Sequence, residues 1–364
     1  MIRPKHRIFL ACIAVLLAVC LSVVFAWVHF LRHSLVTRDE GYRYDVPAGA
    51  TVSTVVHDLY LLDVIRHPIF FKWLIWLHGD NHELKAGEYL FPKGTTPPKL
   101  LYQIMTGTGM VYHSFTVVAG WSFDHVRHAL ENDPNIKHTI GSLNDTDIMQ
   151  QLGGPQLKPE GWLYPDTYYF VRGTSDLVIL RQAYHRMQKF INNEWQNREL
   201  GLPYSSEEDA LTVASLIEKE TGVEFERPII AGVIINRLNK GMLLQIDPTV
   251  IYAAGSHFDG TIHRTDILRK SPYNTYMTQG LPPTPIAMPS IQSIHAALHP
   301  EHHKYLYFVA KNYDMNGSHR FSETFAEHEK AIAQAKRKHS HYQFFNNALI
   351  EHYFWRYVLS GIYN

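Results

Sequence analysis

"ASLIEKETGVEFERPIIAGVIINRLNKGM", Ala214–Met242, sets carboxylates and amides among aliphatic residues in what reads as two consecutive helices. At 100° per residue, Leu211, Val213, Ala214, Leu216 and Ile217 fill most of one circumference, and Thr212 and Lys219 mark the solvent side. Glu218 falls beside Leu211 and Ala214, whereas Glu220 falls between Val213 and Leu216, at the opposite margin of the same apolar arc. The two acids therefore do not serve one bond together, and one of them is expected to be the reactive group. A carboxyl on an apolar face near a helix end is partly desolvated, which raises its pKa and keeps a proton available near neutral pH. A general acid is made this way. A buried ion pair with Arg227 or Arg237 is the equal alternative on spacing alone.

Outward from this stretch, Ser205 and Glu208 read as a capping box for the helix carrying Glu218, with Gly222 at its end. Pro228 opens the next helix, Ile229, Ile230, Val233, Ile234 and Leu238 line it, and Gly241 closes it. A helix is predicted over 176–198, preceded by the loop-like "KPEGWLYPDTYYF". Downstream, Asp247 and Pro248 read as an N-cap and first helical residue. "SPYNTYMTQGLPPTPIAMPS" is a proline-rich loop, "IQSIHAALH" is helical, and "KYLYFVA" with "HRFSE" forms a hairpin before a helix over 322–336. This order is mixed α+β rather than a strict βαβ alternation. No dinucleotide-binding or P-loop glycine pattern occurs.

The N-terminal half repeats itself. "VPAGATVSTVVHDL" from Val46 lies over "VVAGWSFDHVRHAL" from Val117, and "FPKGTTPPKLLYQI" from Phe91 follows the same skeleton. After Gly49, Gly94 and Gly120 come the hydroxyls Thr51, Thr96 and Ser122, then apolar pairs Val55/Leu59, Leu100/Ile104 and Val126/Leu130. Each copy predicts a strand, a glycine turn, a hydroxyl-capped helix and a core-facing stripe. Such modules include LysM-like sugar-binding units, and plain structural packing explains the pattern equally well. Between the copies, "HPIFFKWLIWLHG" is an apolar helix too short to be a second membrane span and interrupted by Lys72.

From Ile8 to Leu31 the chain carries no acid, lysine or arginine, and about 20 apolar residues suffice to cross a bilayer core. Arg3, Lys5 and Arg7 precede the run and favour a cytoplasmic N-terminus, although Arg32 and Arg38 weaken that asymmetry. The expected placement is a single membrane span with the bulk of the chain outside. A cleavable signal peptide is the rival, given the small-residue site "VFA" ending at Ala26. Cys12 and Cys20, the two cysteines, both lie in this segment, so a disulfide does not staple the body. With 364 residues and 46% hydrophobic content, there is enough apolar material for globular cores besides the span. Thirty-four basic residues balance thirty-four acidic ones, which argues against a nucleic-acid partner. There are 23 histidines, yet neither "HELKA" at His82 nor "HEKAI" at His328 completes H-E-x-x-H, so no metal or cofactor is expected.

"ASLIEKET", "ERPIIAGVIINRL" and "GMLLQIDPTVIYAAG", with "EGWLYPDTY" before them and "YNTYMTQGLPPTPIAMPS" and "YLYFVA" after, resemble the MltG (YceG-like) endolytic murein transglycosylases over about 45–336. The resemblance implies a single-pass inner-membrane protein with a periplasmic body: a membrane anchor over 8–31 after a cytoplasmic 1–7, a LysM-like region over 44–150 and a catalytic domain over 151–340. It leaves an aromatic tail over 341–364 to which no catalytic role attaches. It also implies a glutamate in the "EKET" motif as sequential acid and base, a place that Glu218 holds in this sequence. Glu160, Gln245, Asp247, Asn236, Arg237, Asn274 and Thr275 match the remaining motifs as supports or sugar contacts. Trp162, Tyr164, Tyr168 and Tyr273 are candidates for stacking on sugar faces or for core packing. The implied substrate is the peptidoglycan glycan strand, and peptidoglycan synthases are the implied partner class. A non-catalytic wall-binding scaffold and a water-using muramidase, which needs a second carboxylate, are the alternatives.

Overall fold

A computed structural model describes residues 4–78, 84–155, 158–311 and 317–343. The aromatic tail beyond 343 lies outside the described residues. The chain divides into two compact units: one holds 1–113 and 169–173, the other 114–168 and 174–364. The whole is mixed α+β, as expected.

The first unit begins with helix α1 (Pro4–Arg32), of which Phe9–Arg32 is long and apolar enough to cross a membrane. Strand β1 (Tyr42–Val46) leads into α2 (Val52–Leu61) and α3 (Pro68–His78); β2 (Gly87–Phe91) then leads into α4 (Pro97–Thr106). β1 and β2 pair antiparallel with Tyr44 opposite Tyr89. Their inner faces and the stripes of the helices close one core, in which Leu59, Ile65, Leu100 and Phe91 are fully enclosed. Glu88 is buried on β2 between Arg43 (2.7 Å) and His113 (3.0 Å), and the Arg43 hydrogen bond holds its carboxyl below the usual range.

Strand β3 (Tyr112–Thr116) opens the third copy of the repeat and leads into α5 (Phe123–Glu131). In all three copies the glycine takes a positive φ, 76° at Gly49, 85° at Gly94 and 83° at Gly120. Thr51 and Ser122 accept the backbone N–H three residues on, while Thr96 stands at the N-cap position without that bond, ahead of Pro97 and Pro98 in the first turn. The predicted stripe residues, Val55/Leu59, Leu100/Ile104 and Val126/Leu130, are all buried.

The second unit continues with α6 (Asp145–Leu152) and α7 (Asp176–Gln196), and between them β4 (Thr167–Val171), whose last three residues belong to the first unit, pairs with β3. Then come α8 (Glu207–Glu220), α9 (Arg227–Asn239), α10 (Asp247–Ala254), the short α11 (Arg264–Ile267) and α12 (Ile291–Leu298). The hairpin β5 (Tyr307–Ala310) and β6 (His319–Ser322) and the helix α13 (Phe325–Gln343) complete it.

Helix α8 is the hub, packed against α7, α9, α10 and α12. Every residue from Ala210 to Ile217 is buried, including Thr212, which the helical projection places on the solvent side. Enclosure on all sides overrides the projection, and Thr212 satisfies its hydroxyl on the Glu208 carbonyl at 2.8 Å. The capping box uses Ser206 and Asp209, one residue on from Ser205 and Glu208, because the Asp209 carboxylate takes both the Ser205 and Ser206 N–H groups. On α9, Gly232 lets the backbone of Glu301 approach: an added Cβ would meet the Glu301 carbonyl oxygen at 2.4 Å.

Candidate active site

At the end of α8, Glu218 and Glu220 diverge, as their helical phase requires, and meet different chemistry. Oε2 of Glu218 accepts hydrogen bonds from Ser290 N (3.1 Å), Ser290 Oγ and Ser293 Oγ (2.6 Å). Ser290 is the N-cap of α12, so this carboxylate fastens α8 to the positive end of a neighbouring helix. Its partners are hydroxyl and amide donors, not the guanidinium of Arg227 or Arg237.

Glu220 is half-buried on the other margin. Desolvation by burial, reinforced by the charge of Asp247 and opposed by Arg237, pushes its pKa up to about 8. Asp247 is the first residue of α10, not its N-cap; Ile246 takes that place, and the Asp247 carboxylate turns instead to Tyr276, whose hydroxyl donates to Oδ1 at 2.5 Å. Burial and that hydrogen bond raise the Tyr276 pKa. The adjacent Gln245 has φ 54°, a left-handed conformation that a non-glycine residue holds only when its surroundings dictate it. Here the Gln245 N–H donates to the Thr275 carbonyl (3.1 Å), Ile246 N to Thr275 Oγ1 (2.9 Å), and Arg237 Nη1 to Gln245 Oε1 (3.3 Å). Glu220, Gln245, Asp247, Arg237 and Tyr276 thus form one polar cluster drawn from α8, α9, α10 and the proline-rich loop.

Glu160 is a second acid with a pKa pushed up to about 8, again chiefly by burial, but only 4% of it is exposed. Both carboxyl oxygens accept the Phe123 N–H at the start of α5 (3.0 and 3.2 Å), and Oε2 accepts the Tyr252 hydroxyl at 3.1 Å. Its donors are all protein groups, which makes it a brace between the third repeat copy and α10.

The other motif residues are braces too. Asn236 Nδ2 donates to the carbonyls of His303 (2.8 Å) and Tyr305 (3.0 Å). Asn274, fully buried, donates to the carbonyls of Asp266, Ile267 and Arg269. Thr275 shares its hydroxyl with Thr249 at 2.9 Å. Trp162, Tyr164 and Tyr168 are buried in the core and present no sugar-stacking face. Tyr273 remains partly exposed, with its ring 4.9 Å from that of Tyr252, and so does Tyr276. Glu194, His295 and His299 bring metal-ligand atoms within 4.8 Å of one another, at the far end of α12 from the Glu218 cap.

Sequence spacing alone did not single out Tyr252 and Tyr276. The signal for Tyr276 was present in "YNTY", whose last residue falls past the buried Asn274–Thr275 pair, back toward the α10 N-terminus.

Residues 44–334 match the YceG-like family, and the chain belongs to it. It is 33% identical over 304 residues to an endolytic murein transglycosylase of Bacillus subtilis, covering 79% of this chain and 82% of that one. It is 26% identical over 320 residues to an endolytic murein transglycosylase of Streptococcus pneumoniae, covering 78% of this chain and 57% of the longer relative. A solved YceG-like protein of Listeria monocytogenes shares 29% identity and a TM-score of 0.51, over 80% of this chain and 99% of its own.

Proposed function

We propose that this protein is an endolytic murein transglycosylase: it cuts inside peptidoglycan glycan strands, with Glu220 as sequential general acid and base. The observation that carries the choice of residue is the half-buried Glu220 carboxyl, with a pKa pushed up to about 8, in one cluster with Asp247, Gln245 and Tyr276. A proton is therefore on Glu220 at neutral pH and within reach of a ligand, whereas Glu160 is enclosed and Glu218 is engaged at the α12 N-terminus. The match to relatives of that name supports the reaction class.

In the reaction, Glu220 donates its proton to the oxygen linking N-acetylmuramic acid to N-acetylglucosamine as the C1–O bond breaks. The resulting carboxylate takes the proton from the muramic C6 hydroxyl, whose oxygen bonds to C1. Atoms balance without water: the products are a 1,6-anhydro muramoyl end and a free 4-hydroxyl. One carboxylate serves twice, where a water-using glycosidase needs two. Asp247 offers negative charge to the oxocarbenium-like transition state, and Gln245 offers a polar side chain held in place by Arg237. On this reading the apolar helix over 8–31 is an inner-membrane anchor with the body on its periplasmic side, where strands made by peptidoglycan synthases are the substrate; the length and hydropathy of Phe9–Arg32 support the anchor.

The test is to incubate purified protein with uncross-linked glycan strands and identify the new ends by mass spectrometry. Anhydro ends support the reading, hydrated reducing ends indicate a muramidase, and binding without cleavage indicates a scaffold. Loss of product in Glu218→Gln but not in Glu220→Gln would return the acid to Glu218.

A further inference from the structure

Among the described residues, the first unit leaves an apolar helix face uncovered. On α3, Phe71, Leu74 and Ile75 point into the core, while Ile69 (64% exposed), Trp73 (49%), Trp76 (70%) and Leu77 (61%) occupy a contiguous arc of about 100° on the other side. Lys72 lies at the margin of this arc. Tyr60, Leu61 and Leu62 at the end of α2, which packs against α3, are exposed as well.

What covers the face follows from the helix beside it. α1 is exposed as far as Phe25 and becomes partly covered at Ala26 and Trp27. The Trp27 ring lies 5.8 Å from Phe70 and 6.3 Å from Trp73, and the Phe30 ring 5.6 Å from Phe70 and 6.4 Å from Phe71. Trp27 precedes Arg32 by five residues, roughly 7 Å of helix at 1.5 Å per residue. If α1 crosses the bilayer, α3 is fixed to its last turns at the boundary between acyl chains and headgroups, the depth that tryptophan rings favour. A cavity of about 700 Å³ opens at the same level, and Arg38 and Arg66 in its lining, beside Asp63, supply guanidinium charge that a phosphate layer complements.

We propose that α3 is a membrane-interfacial helix, with Ile69, Trp73, Trp76 and Leu77 embedded in the outer leaflet beside the span. It rests on the reading of α1 as a membrane anchor. The first unit is then joined to the bilayer by a rigid foot, not by a swivelling stalk.

The test uses the full-length protein in liposomes, with an environment-sensitive dye on Cys20 in a Cys12→Ser background, or on Trp76→Cys with both native cysteines changed to serine. The expected result is blue-shifted emission at both positions, quenched by brominated lipids and protected from iodide. Lipid quenching at position 20 with iodide quenching at position 76 overturns the inference and leaves the anchor intact. Protection from both quenchers at position 76 means a protein surface covers it, which also overturns the inference. Iodide quenching at both positions shows that the anchor itself fails.

Discussion

Nη1 of Arg237 lies 3.3 Å from Oε1 of Gln245, and the same nitrogen holds the carbonyl oxygens of Leu243 (3.0 Å) and Leu244 (2.8 Å). With Nε on the Leu306 carbonyl at 2.6 Å, one guanidinium ties the Gln245 loop to the strand region of β5. A lysine ammonium cannot reproduce that planar fork. Arg237→Lys is expected to lower stability by about 2–3 kcal/mol and to reduce turnover about tenfold or more. Urea denaturation and release of anhydro ends measure the two effects; unchanged turnover would show that the Gln245 conformation is not needed for catalysis.

Glu220→Gln preserves shape and removes the exchangeable proton. Its turnover should fall by about 10² to 10⁴ with strand binding retained. Glu218→Gln should instead keep turnover within about tenfold and lose about 1–2 kcal/mol of stability, since an amide oxygen replaces a carboxylate at the α12 cap. Parallel kinetics and thermal melts on the two variants compare the two carboxyls directly.

The pH profile follows from the same group. An acid with its pKa pushed up to about 8 is protonated below that value and ionised above it, so kcat/KM on glycan strands should decline as pH rises through about 8. A flat profile from pH 7 to 9 would count against Glu220 as the donor.

Glu160 makes a prediction about stability rather than rate. Its folded pKa of about 8 exceeds the ordinary carboxyl value of 4.5, so its contribution is fully present below pH 4.5 and is lost as pH rises through 8. The full loss is on the order of 5 kcal/mol. Glu160→Gln should therefore flatten the decline in stability between pH 5 and 9, and denaturant midpoints across that range would show it. An unchanged slope would mean that the carboxyl is not kept neutral by its enclosure.

Legibility of the fold in the sequence tracked how local the cause was. The three turn-and-cap copies were readable because glycine, a hydroxyl and a stripe of apolar residues specify a strand-to-helix corner within a few positions. The hairpin of β5 and β6 and the run of α7 were readable for the same reason. Thr212 was misplaced because a helix enclosed on every side has no wet face for the projection to find. Asp247 reads as a cap in the sequence because its partner, Tyr276, lies in a distant loop. The choice between Glu218 and Glu220 had the same difficulty. Helical phase separated the two carboxyls correctly, but what each one meets, the α12 N-terminus or the Asp247–Arg237 cluster, depends on contacts that no local pattern encodes.

Residues 169–173 belong to the first unit although the intervening 114–168 belong to the second. During synthesis, the first unit has to wait for this late segment to leave the ribosome, by which time residues 114–168 of the second unit have also emerged. A protein cut after residue 113 would therefore lack the piece that finishes the first unit.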